Sequence, residues 1–134
     1  MKKTVTSLTL HGVGRRKAAV ARVWLKPGKG DIEINGKNYT EYFATDVAKN
    51  AIILPLHLCG AEKLYDAHVI VNGGGSTGQS GAIKLGISRA LLKGNEALRG
   101  ILRQNDLLTV DSRIKERKKY GQKGARRKFQ FVKR

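Results

Sequence analysis

A chain of 134 residues with 27 Lys or Arg against 10 Asp or Glu carries a formal charge of +17. That balance points to a polyanionic partner, nucleic acid first and an anionic membrane surface second. No apolar run approaches the ~18 residues of a membrane-spanning helix. The charge is uneven: residues 112–134 hold eleven bases and a single acid, Glu116, which leaves only +7 on the first 111 residues. A run so dense in like charge, with few apolar groups to offset the entropy of ordering, is expected to stay extended until a polyanion meets it. The expected organisation is therefore a globular body over residues 1–111 and a basic extended tail over 112–134. The lone cysteine, Cys59, lies in the apolar run LPLHLCG. It offers no disulfide framework or metal cluster and reads as a buried, inert thiol. Two lysines open the chain as they would a secretory leader, but the apolar stretch behind them is short and broken by Thr, Ser and His. A leader is not expected, and a cytosolic protein fits.

In chain order, TVTSLTL (4–10) is rich in β-branched residues and predicts a strand with Leu8 and Leu10 on one face. GVGRRK (12–17) predicts a basic turn, and AAVARVWL (18–25) a second strand. Pro27-Gly28-Lys29-Gly30 breaks the pattern. DIEINGKNY (31–39) predicts a β-hairpin, because Ile32 and Ile34 share a face and Asn35-Gly36 suits a type I′ turn. Thr45 can cap a helix through DVAKNAIIL that Pro55 would end or kink. AHVIVN (67–72) predicts a strand. A helix is expected from about Gln79 to Lys93, with Ile83, Ile87, Ala90 and Leu91 in one apolar stripe and Lys84 and Ser88 opposite. A shorter helix, EALRGILRQ, follows, and LLTVD is either a last short strand or an extended exit. The order β-β-β-α-β-α-α suggests one sheet with helices on one face.

Between the strand and the long helix lies GGGSTGQS (73–80), which fits two nucleotide-binding patterns loosely. Both exploit glycines that let backbone N–H groups approach phosphate at a helix N-terminus. Neither enzyme reading holds. Gln79 stands where a nucleotide-hydrolysing loop needs lysine, and no following strand supplies an acid for magnesium. A dinucleotide fold needs a strand after the helix, where this chain has another helix. Two readings of the loop remain, a seat for a nucleic-acid phosphate and a purely structural turn. A peripheral membrane role calls for an amphipathic basic helix, and Gly121 and Gly124 break any helix in the tail.

The blocks GRRKAAVARV (14–23), ING (34–36), GGGSTGQSGAIKLGISRAL (73–91) and DSRIKERKK (111–119), with the closing Lys133-Arg134, resemble the ninth universal protein family of the small ribosomal subunit, in its bacterial form. The resemblance runs from about residue 8 to the end. It implies a two-layer α/β sandwich, with a mixed sheet, helices on one face and a left-handed crossover, of the kind named after the second domain of the fifth small-subunit protein. The usual rule for such crossovers is right-handed. It also implies a non-catalytic, cofactor-free constituent of the cytoplasmic ribosome, seated on ribosomal RNA in the subunit head beside neighbouring head proteins, with no membrane role. Its tail would contact the peptidyl-site tRNA through Lys133 and Arg134, with Phe131 and Val132 just behind. The family usually has Ser where Val132 stands, so a hydroxyl contact is lost there, and often has prolines where this chain has Tyr120 and Phe129.

The residues expected on ribosomal RNA form three groups. Arg15, Arg16 and Lys17 make one basic site. Gly73, Gly74, Gly75, Gly78 and Gln79 form the loop, extended along its helix by Lys84 and Arg89, with Lys93, Arg99 and Arg103 continuing the surface. In the tail, Arg113, Lys115, Arg117, Lys118, Lys119, Lys123, Arg126, Arg127 and Lys128 neutralise phosphates, Arg as a fork and Lys as a point charge. Tyr120, Phe129 and Phe131 are spaced to stack on splayed bases or to pack on a neighbour. The three histidines, His11, His57 and His68, are given no role, and Trp24 is read as core or strand surface.

Overall fold

The computed structural model describes residues 9–130, so the predicted strand over 4–10 lies mostly outside the described residues. Among them, five strands form one mixed sheet in the order β1-β2-β5-β3-β4. These are β1 (Leu10–Arg16), β2 (Ala19–Pro27), β3 (Ile32–Ile34), β4 (Lys37–Asn38) and β5 (Tyr65–Asn72). All pairings are antiparallel except β3 with β5. That parallel pair is joined by a crossover containing the single-turn helix α1 (Tyr39–Tyr42) and helix α2 (Asp46–Leu58). Helix α3 (Ser76–Gly94), a short 3-10 turn (Glu96–Leu98) and α4 (Arg99–Gln104) complete the chain order. Helix α3 lies on β1 and β2, and α2 packs beside it, giving the expected two-layer α/β arrangement.

Strict alternation makes β2 a one-sided strand: Ala19, Ala21, Val23 and Leu25 are buried while Val20 and Arg22 between them are exposed. The hairpin forms where Asn35-Gly36 predicts it, both residues at positive φ (50° and 83°). Helix α1, which the sequence pattern missed, is a single turn held by Asn38, whose Oδ1 accepts from Thr40 N at 3.1 Å.

Three expectations need correction. GVGRRK is not a turn: Gly12 to Arg16 continue β1, and only Lys17-Ala18 turn into β2. Helix α2 runs through the buried Pro55 to Leu58, because that proline sits in the last turn and forfeits one backbone bond. Ser88 does not face solvent. It is fully buried, and its hydroxyl donates to Lys84 O at 2.8 Å, the back-bond that lets a buried serine sit inside a helix. The predicted stripe of Ile83, Ile87, Ala90 and Leu91 is buried, but so are residues around it: eleven of the nineteen residues of α3 are buried. LLTVD is an exit, in which Leu107 is buried against the body and no strand forms.

Glycines set the depth of this packing. A Cβ at Gly12 would stand 2.7 Å from Ala90 N, and one at Gly14 would overlap Ala82 O. The α3 backbone therefore rests directly on the β1 backbone. That is why a strand carries the sequence Gly-Val-Gly, and why it read as a turn.

Candidate nucleic-acid interface

Strand β5 ends at Asn72 and the chain reverses through Gly73 and Gly74, both left-handed (φ 76° and 67°). Side chains there would be strained in backbone and crowded: a Cβ at Gly73 would lie 2.6 Å from Ala18 O. Gly75 then takes the N-cap position of α3, with no side chain of the described residues capping the helix. The first amides of a nineteen-residue helix thus open at the end of the loop without an intrahelical acceptor. Around Gly75 nothing stands within 4 Å of a built Cβ, so this end of the loop is open.

Gln79 braces the loop. Its Nε2 donates to Gly73 O at 3.1 Å, and its Oε1 accepts from Tyr42 Oη at 2.8 Å. Asn35 locks in behind: its Oδ1 accepts from Val71 N, and its Nδ2 donates to Val71 O, each at 3.0 Å. Both ends of the Gln79 amide bond within the chain, so Gln79 shapes the glycine loop. The neutral side chain at the lysine position of a hydrolase loop has a structural purpose.

The hairpin turn between β1 and β2 sits against this helix end. A Cβ at Gly78 would lie 3.4 Å from Arg16 O and 3.7 Å from Lys17 Cβ. The Arg16 side chain lies over Gly81, where a Cβ would meet its Nη1 at 2.8 Å. Arg15 and Arg16 from β1, Lys84 from α3 and Arg113 from the start of the tail line one cleft of about 500 Å³. Arg16, Lys17, Arg113 and Lys115 line a second of about 340 Å³. Arg16 Nε is buried without a hydrogen-bond partner, its nearest acid being Asp111 at 3.6 Å. Arg89 stands apart. Its Nη1 donates to Val13 O at 2.7 Å, which pins α3 to β1.

Asp111 fastens the root of the tail. Its carboxylate accepts both arms of the Arg113 guanidinium, at 2.9 and 2.8 Å, and the Arg113 backbone N–H at 3.2 Å. The Arg113 guanidinium, then its backbone N–H, hold the Asp111 carboxyl well below the usual Asp range, with Arg16 adding to the effect. A depressed folded value means the clasp contributes above the ordinary Asp value and is lost as pH falls through the depressed one. An NMR titration should therefore find Asp111 still ionised at about pH 3.9, where an ordinary Asp is half protonated. A midpoint at the ordinary value would contradict the clasp.

Beyond it, Ile114 to Lys119 form no regular structure. Glu116, the tail's one acid, accepts from Lys119 Nζ and, at 2.8 Å, from Arg126 Nε. Together these two cations lower its pKa, Lys119 contributing most. Gly121 (φ 72°) turns the chain, and Lys123 N donates to Arg127 O at 2.8 Å across a small loop closed by the Gln122–Lys128 bridge. The tail is thus not featureless: one carboxylate gathers its cations into a local loop, a departure from the fully extended run that charge alone predicts. Tyr120 is 96% exposed and Phe129, with Lys123 Nζ 5.7 Å over its ring, is 58% exposed. Phe131, Val132, Lys133 and Arg134 lie outside the described residues.

The family described as ribosomal protein S9/S16 matches residues 14–134. The chain belongs to that family. It is similar to small ribosomal subunit protein uS9 of Syntrophobacter fumaroxidans, with 50% identity over 92% of this chain and 95% of the relative. The protein of the same name from Chlorobium chlorochromatii is 49% identical over 91% and 95%. That of Cytophaga hutchinsonii is 49% identical over 93% and 98%. This is a structural ribosomal protein of the small subunit, and not an enzyme. Among the described residues no helix is long and apolar enough to cross a membrane.

Sequence reasoning missed Asp111 and the Tyr42–Gln79–Asn35 brace. Asp111 carries a local signal, an acid one residue before the basic run begins. The brace joins Tyr42 to Gln79 and Asn35 to Val71, 37 and 36 positions apart, and has none.

Proposed function

We propose that the body, residues 1–111, seats on ribosomal RNA in the head of the small subunit through the cleft where β1, α3 and the tail root meet. The tail, residues 112–134, then passes through that RNA and brings Lys133 and Arg134 to the anticodon stem of the peptidyl-site tRNA. The observation that carries this reading is the convergence of Arg15, Arg16, Lys84 and Arg113 on one cleft beside the open end of α3. The cleft also holds Asp106 and Asp111, the latter taken up by Arg113, and an RNA phosphate beside Arg15 and Lys84 gives the buried Arg16 Nε an acceptor. Phosphate contacts of this kind position the protein without reading base sequence. The loop glycines 73, 74, 75 and 78 allow the RNA backbone to come close, with Gln79 holding their shape.

From the root clasp the tail has about 23 residues, roughly 75 Å if fully extended at ~3.3 Å per residue. That reach supports assigning separate tasks to its stem and its tip. Cations Arg113 to Lys128 serve the passage, and Tyr120 and Phe129 serve stacking or wedging along it. Deleting Lys133 and Arg134 is expected to leave subunit assembly near normal and to weaken tRNA binding at the peptidyl site. Filter binding of tRNA to reconstituted subunits tests this. Blocked assembly with unchanged tRNA affinity would overturn the division of labour.

A further inference from the structure

Among the described residues no helix packs on the second face of the sheet, and that face is patterned. Strand register aligns His11, Trp24, His68 and Glu33 in one rung across β1, β2, β5 and β3. The rings of His11 and Trp24 stack with centroids 5.0 Å apart, and those of Trp24 and His68 follow at 5.9 Å. His11 is fixed by an Nδ1–H donated to Val23 O at 3.1 Å, and His68 Nδ1 stands 4.0 Å from Glu33 Oε2. The next rung is Val13, Arg22 and Ile70, and Arg15 lies on the rung beyond. On the other side Lys26 pairs with Asp66 in register, but Asp66 already accepts the backbone N–H groups of Lys29, Gly30 and Asp31.

We propose that this open face is a second RNA surface, on which unpaired bases join the ring row His11–Trp24–His68 while Arg15, Arg22 and Lys26 hold the flanking phosphates. The inference rests on the RNA-binding reading above and extends it to the other face of the sheet, which meets the cleft at Arg15. A hydrophobic protein partner would want an apolar face. Here a short aromatic row is flanked by Arg15, Arg22 and Lys26, against two acids, Glu33 near His68 and Asp66 held by backbone donors. Three cations against two acids favour a polyanion, and a row of rings across adjacent strands, half-buried at His11 and Trp24 and exposed at His68, favours one with bases. A duplex, whose bases are already stacked on one another, would gain nothing from the rings.

Trp24 is the chain's single tryptophan, so its fluorescence reports this face alone. The full-length protein is titrated with a short oligoadenylate and, separately, with linear polyphosphate of matched charge. Oligoadenylate should shift or quench the emission, and polyphosphate should bind through the basic residues without doing so. Trp24→Leu should weaken oligoadenylate about five- to a hundredfold, the worth of one stacked base, and leave polyphosphate affinity unchanged. If both polyanions bind and the emission never moves, the face is not an RNA surface, although the RNA-binding reading stands; a protein neighbour on this face would give that outcome. If neither binds, the RNA-binding reading fails as well.

Discussion

Truncation after Ser112 is expected to lower affinity for small-subunit ribosomal RNA by on the order of a thousandfold at low salt, and to flatten its salt dependence. The removed segment holds eleven of the 27 cations and one of the ten acids. If six to ten of those cations sit on phosphates, the full-length protein should lose about 10³–10⁵ in affinity between 50 and 200 mM salt, because each neutralised phosphate releases condensed counterions. The truncated body retains Arg15, Arg16, Lys17 and Lys84 around the cleft but loses Arg113 from its wall, so it should bind with a much shallower slope. The free tail loop spends two cations on Glu116. These pairs are exposed and worth little in water, so RNA phosphates displace them readily, and the local loop sets no barrier to threading. Equal slopes for the full-length and truncated proteins would show that the tail does not bind by charge.

The largest effect on folding is expected at Gly14. Gly14→Ala places a methyl group against the Ala82 carbonyl and near Gly86 N, both backbone atoms of α3. No rotamer change can relieve that clash, so α3 must lift from β1 and uncover Val23 and Ile87, which the contact buries. The cost should reach or exceed about 3 kcal/mol, the upper end of overpacking, in a domain whose whole stability is about 5–15 kcal/mol. Urea denaturation measures it. Gly100→Ala in α4 is the matched control, since nothing lies within 4 Å of its built Cβ. It should be neutral or stabilising by about 0.5–1 kcal/mol, as helix propensity dictates. A Gly14→Ala protein as stable as its parent would mean that helix and strand are not in direct backbone contact.

Gly14 also marks where reading the sequence stops. Strands with a plain two-residue alternation, such as Ala19 to Leu25, were legible because their pattern is a local consequence of one buried face. The Asn35-Gly36 hairpin was legible because positive φ demands those residue types. Gly-Val-Gly read as a turn because local rules assign glycine to turns, whereas here glycine answers to a helix backbone some seventy residues further along the chain. Ser88 was misplaced for a related reason. The periodicity of α3 marks one apolar stripe, yet the helix is covered by the sheet, by α2 and by the exit around Leu107, and a serine bonded to its own backbone tolerates that cover. At the candidate site, the basic residues and glycines were visible as composition and spacing. What composition could not supply was their convergence: Arg15 and Arg16, Lys84, and Arg113 come from three segments, and only the fold brings them to one cleft. The same holds for His11, Trp24 and His68, which have no sequence-near partners and become a row only through strand register.

In the proposed division of labour, an anchored body directs a tail whose tip serves the tRNA. A photoreactive residue placed at position 134 of the full-length protein, in an intact translating ribosome, tests it most directly. Crosslinks to the anticodon stem of the tRNA in the peptidyl site are expected, lost when that site is empty. Crosslinks confined to ribosomal RNA or a neighbouring protein, unchanged by tRNA occupancy, would contradict it.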